Sequence, residues 1–136
     1  MKNIVVIYHG KCMDGFSGAW AAWKKFGNRA TYIGALDRNI PPKGLHGKEI
    51  YLIDYTYKWP IVAGLMRKNK RVTAIDHHIT AKDVALRTYQ HSFDLNHSGA
   101  VLAWNYFHPT KPVPKLLRYV EDLDLWRFAL PKTREF

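Results

Sequence analysis

Short runs of β-branched residues alternate along this chain with longer stretches in which apolar residues recur at helical spacing. Ile4, Val5, Val6 and Ile7 follow one another without a polar break, so residues 3–8 read as a buried strand. From 14 to 26, Phe16, Ala19, Trp20 and Trp23 fall three and four apart, which predicts a helix with Gly27 as its stop and with Trp20 and Trp23 in the core. Further strands are expected over 30–34, 49–54, 71–76 and 88–92. Residues 37–47, with Pro41, Pro42 and two glycines, read as loop. Pro60 suits the first turn of a helix running to about Lys68, and 80–83 a turn or short helix. Ser98 can cap a helix over 99–107, and a Pro-containing loop over 109–113 leads into a last helix over 114–121. Strands that alternate with helices predict an α/β fold: a doubly wound, mainly parallel sheet of about five strands with helices on both faces.

Composition bounds this picture without changing it. A length of 136 residues suits a single domain, 1–136, large enough for a real core. One cysteine excludes an internal disulfide and suits a reducing compartment. No apolar stretch approaches the roughly 20 residues of a membrane span, and Lys11 and Asp14 interrupt the N-terminal apolar run where a signal peptide would continue. These features read as a soluble, cytoplasmic protein. The net charge of +10 favours polyanionic partners such as nucleic acids and nucleotides, although surface charge also serves solubility. Its distribution adds more. Six of the eleven acids are Asp14, Asp54, Asp76, Glu121, Asp122 and Asp124, so the rest of the chain is more basic than the total suggests.

Those acids are not scattered. The first apolar run is followed by His9 and Asp14, the third ends on Asp54, and the fourth ends on the triplet Asp76-His77-His78. Glu121, Asp122 and Asp124 follow a helical stretch. In open α/β sheets, sites are built where strands end. An apolar run closed by an acid or a histidine, several times over, reads as a metal site spread along one edge of the sheet. His91, His97 and His108 stand outside this pattern and are expected at the surface or in packing.

The segments His9 to Ala19, Leu52 to Asp54, Ile75 to His78, Asn96 to Ala100 and Tyr119 to Trp126 together resemble the DHH phosphoesterase superfamily, which takes its name from the Asp-His-His triplet. The likeness covers most of the chain and keeps the family's order of motifs. It implies a doubly wound α/β domain with two divalent ions, Mn²⁺ foremost and Mg²⁺ or another ion as alternatives. It implies that Asp54 bridges the ions and that His9, Asp14 and His77 are ligands. His78 would lie near the phosphate, and Asp76 would support it, both in catalytic roles. The last motif offers Asp122 or Asp124; Asp122 is favoured because it follows the helix more directly. Lys11, Ser98 and Gly99 are candidate phosphate contacts, with solvation of Lys11 and simple capping by Ser98 as the alternatives. Cys12 stands where the family has the first aspartate of its first motif. A thiol is a poor partner for a hard ion, so one metal position is expected to be weaker or differently selective.

The function implied is hydrolysis of phosphodiester bonds in short oligonucleotides, cyclic dinucleotides or related nucleotides by a metal-bound hydroxide. The alternative is a non-catalytic nucleotide- or nucleic-acid-binding domain that retains the pocket. Many members of the family continue into a second, DHH-associated domain, and nothing in these residues is expected to form one.

Overall fold

A computed structural model describes residues 1–135; residue 136, the last of the expected domain, lies outside the described residues. Five strands form one sheet: β1 (Ile4–His9), β2 (Ala30–Ala35), β3 (Glu49–Ile53), β4 (Arg71–Asp76) and β5 (Gln90–Phe93). The helices are α1 (Met13–Phe26), α2 (Trp59–Lys68), α3 (Lys82–Ala85), α4 (Gly99–Phe107) and α5 (Lys115–Asp124). Every strand pairing is parallel, in the order β2-β1-β3-β4-β5. The fold is therefore the doubly wound α/β arrangement expected from the sequence.

Alternation along the strands divides the core. Val6, Tyr51, Ile53 and Ile75 pack with Ala21, Ala22, Ala103, Trp104, Leu117 and Val120 of α1, α4 and α5 on one face. Val5, Ile7, Ile50, Leu52 and Val72 pack with Val62 and Leu65 of α2 on the other. Burial on both faces is why the central strands read as unbroken apolar runs.

Helix α1 corrects one expectation. Trp20 is partly buried and stacks on Trp104 with ring centroids 5.9 Å apart, but Trp23 is 48% exposed. The helix turns its small residues inward instead: Ser17, Gly18, Ala21 and Ala22 are buried. A Cβ on Gly18 would stand 2.5 Å from Ile53 Cγ2, so this close approach to the sheet has no room for a larger side chain. The aromatic residues are left on the flank.

The strand order also locates the crevice. The chain leaves β1 for β2 on one side and returns to β3 on the other. The carboxyl ends of β1 and β3 are thus the topological switch point, where α/β sheets open a crevice for ligands. His9 is the last residue of β1, Asp54 follows β3, and Asp76 ends β4.

Candidate metal centre

Asp54 is the centre of the site. It is 1% exposed, its N–H donates to the Ile75 carbonyl at 2.8 Å, and its φ is 57°. That left-handed conformation is uncommon outside glycine, Asn and Asp, and it aims the carboxylate into the crevice. Asp54 Oδ1 lies 3.0 Å from His77 Nε2 and 3.7 Å from His78 Nδ1. Oδ2 lies 3.6 Å from His9 Nδ1 and accepts from Cys12 Sγ at 3.6 Å. The two oxygens face two different sets of donors. His9, Cys12 and Asp54 form one set within 4.8 Å; Asp54, His77 and His78 form another; Asp14, His77 and Asp124 a third.

Asp14 reaches this cluster from the first turn of α1 and is held by the start of α4. Its Oδ2 accepts from Gly99 N at 2.9 Å and its Oδ1 from Ala100 N at 2.8 Å, while Oδ2 stands 3.2 Å from His77 Nε2. The amides that a helix leaves unpaired at its N-terminus thus bind a carboxylate of the protein itself. Gly99 also has to be a glycine: a Cβ there would lie 2.8 Å from Asp54 Cβ.

Asp76 does not face the cluster directly. One oxygen accepts from the His77 and His78 amides at 2.7 and 3.1 Å and bonds His78 Nδ1 at 2.8 Å. The other accepts from Thr56 Oγ1 at 2.7 Å. With Nδ1 committed, His78 presents Nε2 outward from a ring that is partly exposed.

Crowding of carboxylates and imidazoles sets the protonation of the site. Burial alone would drive the proton off His77, but its bonds to Asp14 and Asp54 outweigh that and push its pKa up to about 10. Asp124 lies at the solvent edge of the cluster; its pKa rises to about 6 through partial burial of the carboxylate and then the charge of Asp14. Asp54 is raised by burial, against the pull of His77. Asp14 and Asp76 remain below the ordinary carboxylate range despite burial, because hydrogen bonds from His77 and the α4 amides, and from His78 and Thr56, favour their charged forms. Burial, with the nearby Asp54 and Asp14 carboxylates, holds the Cys12 thiol up and neutral.

The structure brings together His9, Cys12, Asp14, Asp54, His77, His78 and Asp124, with Asp76 behind them. It corrects three further expectations. Asp122 is turned away: its oxygens accept from Ala129 N and Leu130 N at 2.9 Å and from the Thr133 hydroxyl, tying down the C-terminal segment. Helix α5 runs through Asp124, and residues two apart on a helix point about 200° from each other, so only one of the two acids can face the site. Asp124 does, with Oδ2 3.6 Å from His77 Nε2. Ser98 and Gly99 are not open phosphate contacts either. Ser98 Oγ caps α4 by accepting from Val101 N at 3.2 Å, Ser98 N donates to Glu121 at 2.8 Å, and Gly99 N is held by Asp14. Lys11 is exposed. Sequence reasoning missed Thr56, which lies in a loop with no periodic signal. It also missed the role of Glu121, which bonds His97 Nδ1 at 3.0 Å besides Ser98 N.

Fold and site together define a class: a doubly wound α/β domain with a carboxylate–imidazole–thiol cluster at its switch point. No protein-family model matches the chain. An uncharacterized protein of Acanthamoeba polyphaga mimivirus is 31% identical over 150 aligned positions, which cover 97% of this chain and 35% of that protein. The crystal structure of an uncharacterized protein from Helicobacter pylori G27 matches with a TM-score of 0.72 at 16% identity, over 95% of this chain and 45% of that one. This last likeness is one of fold. The chain spans about a third of the length of the curated relative it matches and less than half of the solved one. Among the described residues no helix is long and apolar enough to cross a membrane.

Proposed function

We propose that this chain is a DHH-type phosphoesterase domain that hydrolyses phosphodiester bonds in short oligonucleotides, cyclic dinucleotides or related nucleotides, with Mn²⁺ the preferred ion. The observation that carries this reading is the Asp54 carboxylate, whose Oδ1 faces His77 and whose Oδ2 faces His9 and Cys12. A buried carboxylate with each oxygen in a separate donor set is what a bridge between two ions requires. Two features support divalent ions as occupants: His9 Nδ1 is a buried atom with no hydrogen-bond partner among the described residues, and the carboxylates of Asp14 and Asp54 favour positive charge at His77. When bound, the ions would polarise the phosphate, lower the pKa of water and stabilise the attacking and leaving oxygens.

The protein's own groups divide the remaining work. Asp54, Asp14 and Asp124, whose oxygens converge on His77, would hold one ion with it, and Asp54, His9 and Cys12 the other. Asp76 accepts from Nδ1–H of His78 and raises its pKa, and the imidazolium this favours would turn its second N–H, on Nε2, toward a phosphate oxygen. Thr56 holds Asp76 in turn. Five of the eleven acids lie outside the motifs against twenty-one Lys and Arg, a surface suited to a polyanion. A thiol in the centre fits a reducing, cytoplasmic setting.

The replacement of a hard carboxylate by Cys12 also supports a second reading, a binding domain that has lost turnover. A panel of short RNA, short DNA, cyclic dinucleotide, pyrophosphate and adenosine bisphosphate separates the two. Each is assayed with Mn²⁺, with chelator, and with Asp54→Asn, which tolerates the left-handed backbone. Cleavage of a phosphodiester with Mn²⁺, abolished by chelator and by Asp54→Asn, is the expected result. Binding without cleavage throughout the panel would favour the second reading, and cleavage by Asp54→Asn at the wild-type rate would overturn the first.

A further inference from the structure

The two donor sets around Asp54 differ in chemistry. Around His77 Nε2 stand three carboxylate oxygens, of Asp54 at 3.0 Å, Asp14 at 3.2 Å and Asp124 at 3.6 Å. His9, Cys12 and Asp54 offer one imidazole, one thiol and one carboxylate. Oxygen-rich sets suit Mn²⁺ and Mg²⁺, whereas a thiolate draws softer ions.

Cys12 is placed as a ligand. It occupies the residue before α1, where Ser, Thr, Asp or Asn would cap the helix through the side chain. Its thiol makes no cap; it points at Asp54 Oδ2. His9 Nδ1 points at the same oxygen and is otherwise without a hydrogen-bond partner among the described residues, an orphaned buried atom that requires a reason. Spacing supplies one. Donors held on tetrahedral zinc by bonds of about 2.0–2.3 Å stand roughly 3.3–3.8 Å apart. The Sγ–Oδ2 and Nδ1–Oδ2 separations are both 3.6 Å. Three protein ligands then leave a fourth position open, as in catalytic rather than structural zinc sites.

We propose that the centre is built for two different ions: a thiophilic one, Zn²⁺ foremost, at His9, Cys12 and Asp54, and Mn²⁺ at Asp14, His77, Asp124 and Asp54. This rests on the two-position reading of the cluster above, though not on phosphodiester hydrolysis. Binding at the first position displaces the thiol proton to solvent and shields the sulfur.

The test uses the purified chain, stripped with chelator and reloaded. Co²⁺ should produce the near-ultraviolet absorption of thiolate bound to cobalt. Zn²⁺ should remove that absorption at one equivalent, where a large excess of Mn²⁺ does not. Zn²⁺ should also protect Cys12 of the wild type from alkylation, a readout that needs no variant. Cys12→Ser should lose the absorption and bind Zn²⁺ weaker by more than the roughly 10–100-fold that loss of an outer-shell partner costs. Cys12→Asp should shift preference at this position toward Mn²⁺. Cobalt bound without thiolate absorption, or alkylation of Cys12 unchanged by Zn²⁺, would overturn the proposal. The two readings fail separately. Thiolate absorption with no substrate cleaved by any loaded form sinks phosphoesterase activity alone. Cleavage with Mn²⁺ and no thiolate absorption sinks the two-ion proposal alone.

Discussion

Asp54, Asp14, Asp124 and His77 form a set of groups that would repel or desolvate one another without a cation, and in the ion-free protein a proton on His77 serves as that cation. The sign of the consequence follows from linkage. His77 binds its proton up to about pH 10 when folded, against 6.5 ordinarily, so the stability it contributes is complete below 6.5 and is lost as pH rises through 10. Asp124 acts in the same direction at lower pH: it ionises near 6 rather than 3.8, and stability falls as pH climbs through that interval. Melting curves of the chelator-treated protein should therefore show a Tm that declines from pH 6.5 to 10. On the proposed reading a divalent ion would replace the proton, so Mn²⁺ should flatten the profile and open a gap over the ion-free form that widens with pH. A Tm of the ion-free protein that is flat or rises over this range would show that His77 is not the proton's seat.

Helix α5 gives the sharpest distinction between two neighbouring acids. Asp122 belongs to the fold, through Ala129, Leu130 and Thr133, while Asp124 belongs to the cluster through His77. Asp122→Ala should lower the Tm, because the Ala129 and Leu130 amides and the buried Thr133 hydroxyl lose their acceptor, with ion affinity nearly unchanged. Asp124→Asn should do the reverse, weakening the Mn²⁺ position and leaving the Tm of the ion-free form equal or higher, because one of several crowded carboxylates is removed. Chemical denaturation and ion titration of the two variants check this, and an Asp122→Ala that loses Mn²⁺ while Asp124→Asn keeps it would reverse the assignment. The same helix shows where sequence reading stops. The acids were legible as a cluster after a helical stretch, but the expected end at 121 fell short of Asp124, and facing depends on where the helix ends. Helix α4 is the other case. Its span and its Ser98 cap were readable from local residues, whereas the partner of its free amides, Asp14, lies 85 residues away in sequence from Gly99.

At the scale of the whole molecule, the strands were legible because a parallel sheet buried on both faces writes itself as apolar runs. His9, Asp54 and Asp76 were legible for a related reason: each breaks such a run at its carboxyl end. The strand order was not legible, since no single run says which neighbours it will have, and it is the order that makes the ends of β1 and β3 a crevice. Around this acidic crevice the chain carries a net charge of +10. Short single strands should bind through a few phosphates, so affinity should fall roughly tenfold over a fourfold rise in salt for about two or three contacts. Fluorescence anisotropy with a labelled oligonucleotide checks this, and salt-independent, tight binding to duplex DNA would contradict it. Anomalous scattering from crystals grown with Mn²⁺ and Zn²⁺ decides whether Asp54 joins two ions. Two ions roughly 3.5–4 Å apart are expected, one on each side of the Asp54 carboxylate, with Cys12 Sγ on one of them. A single ion, or ions that Asp54 does not touch, would contradict it.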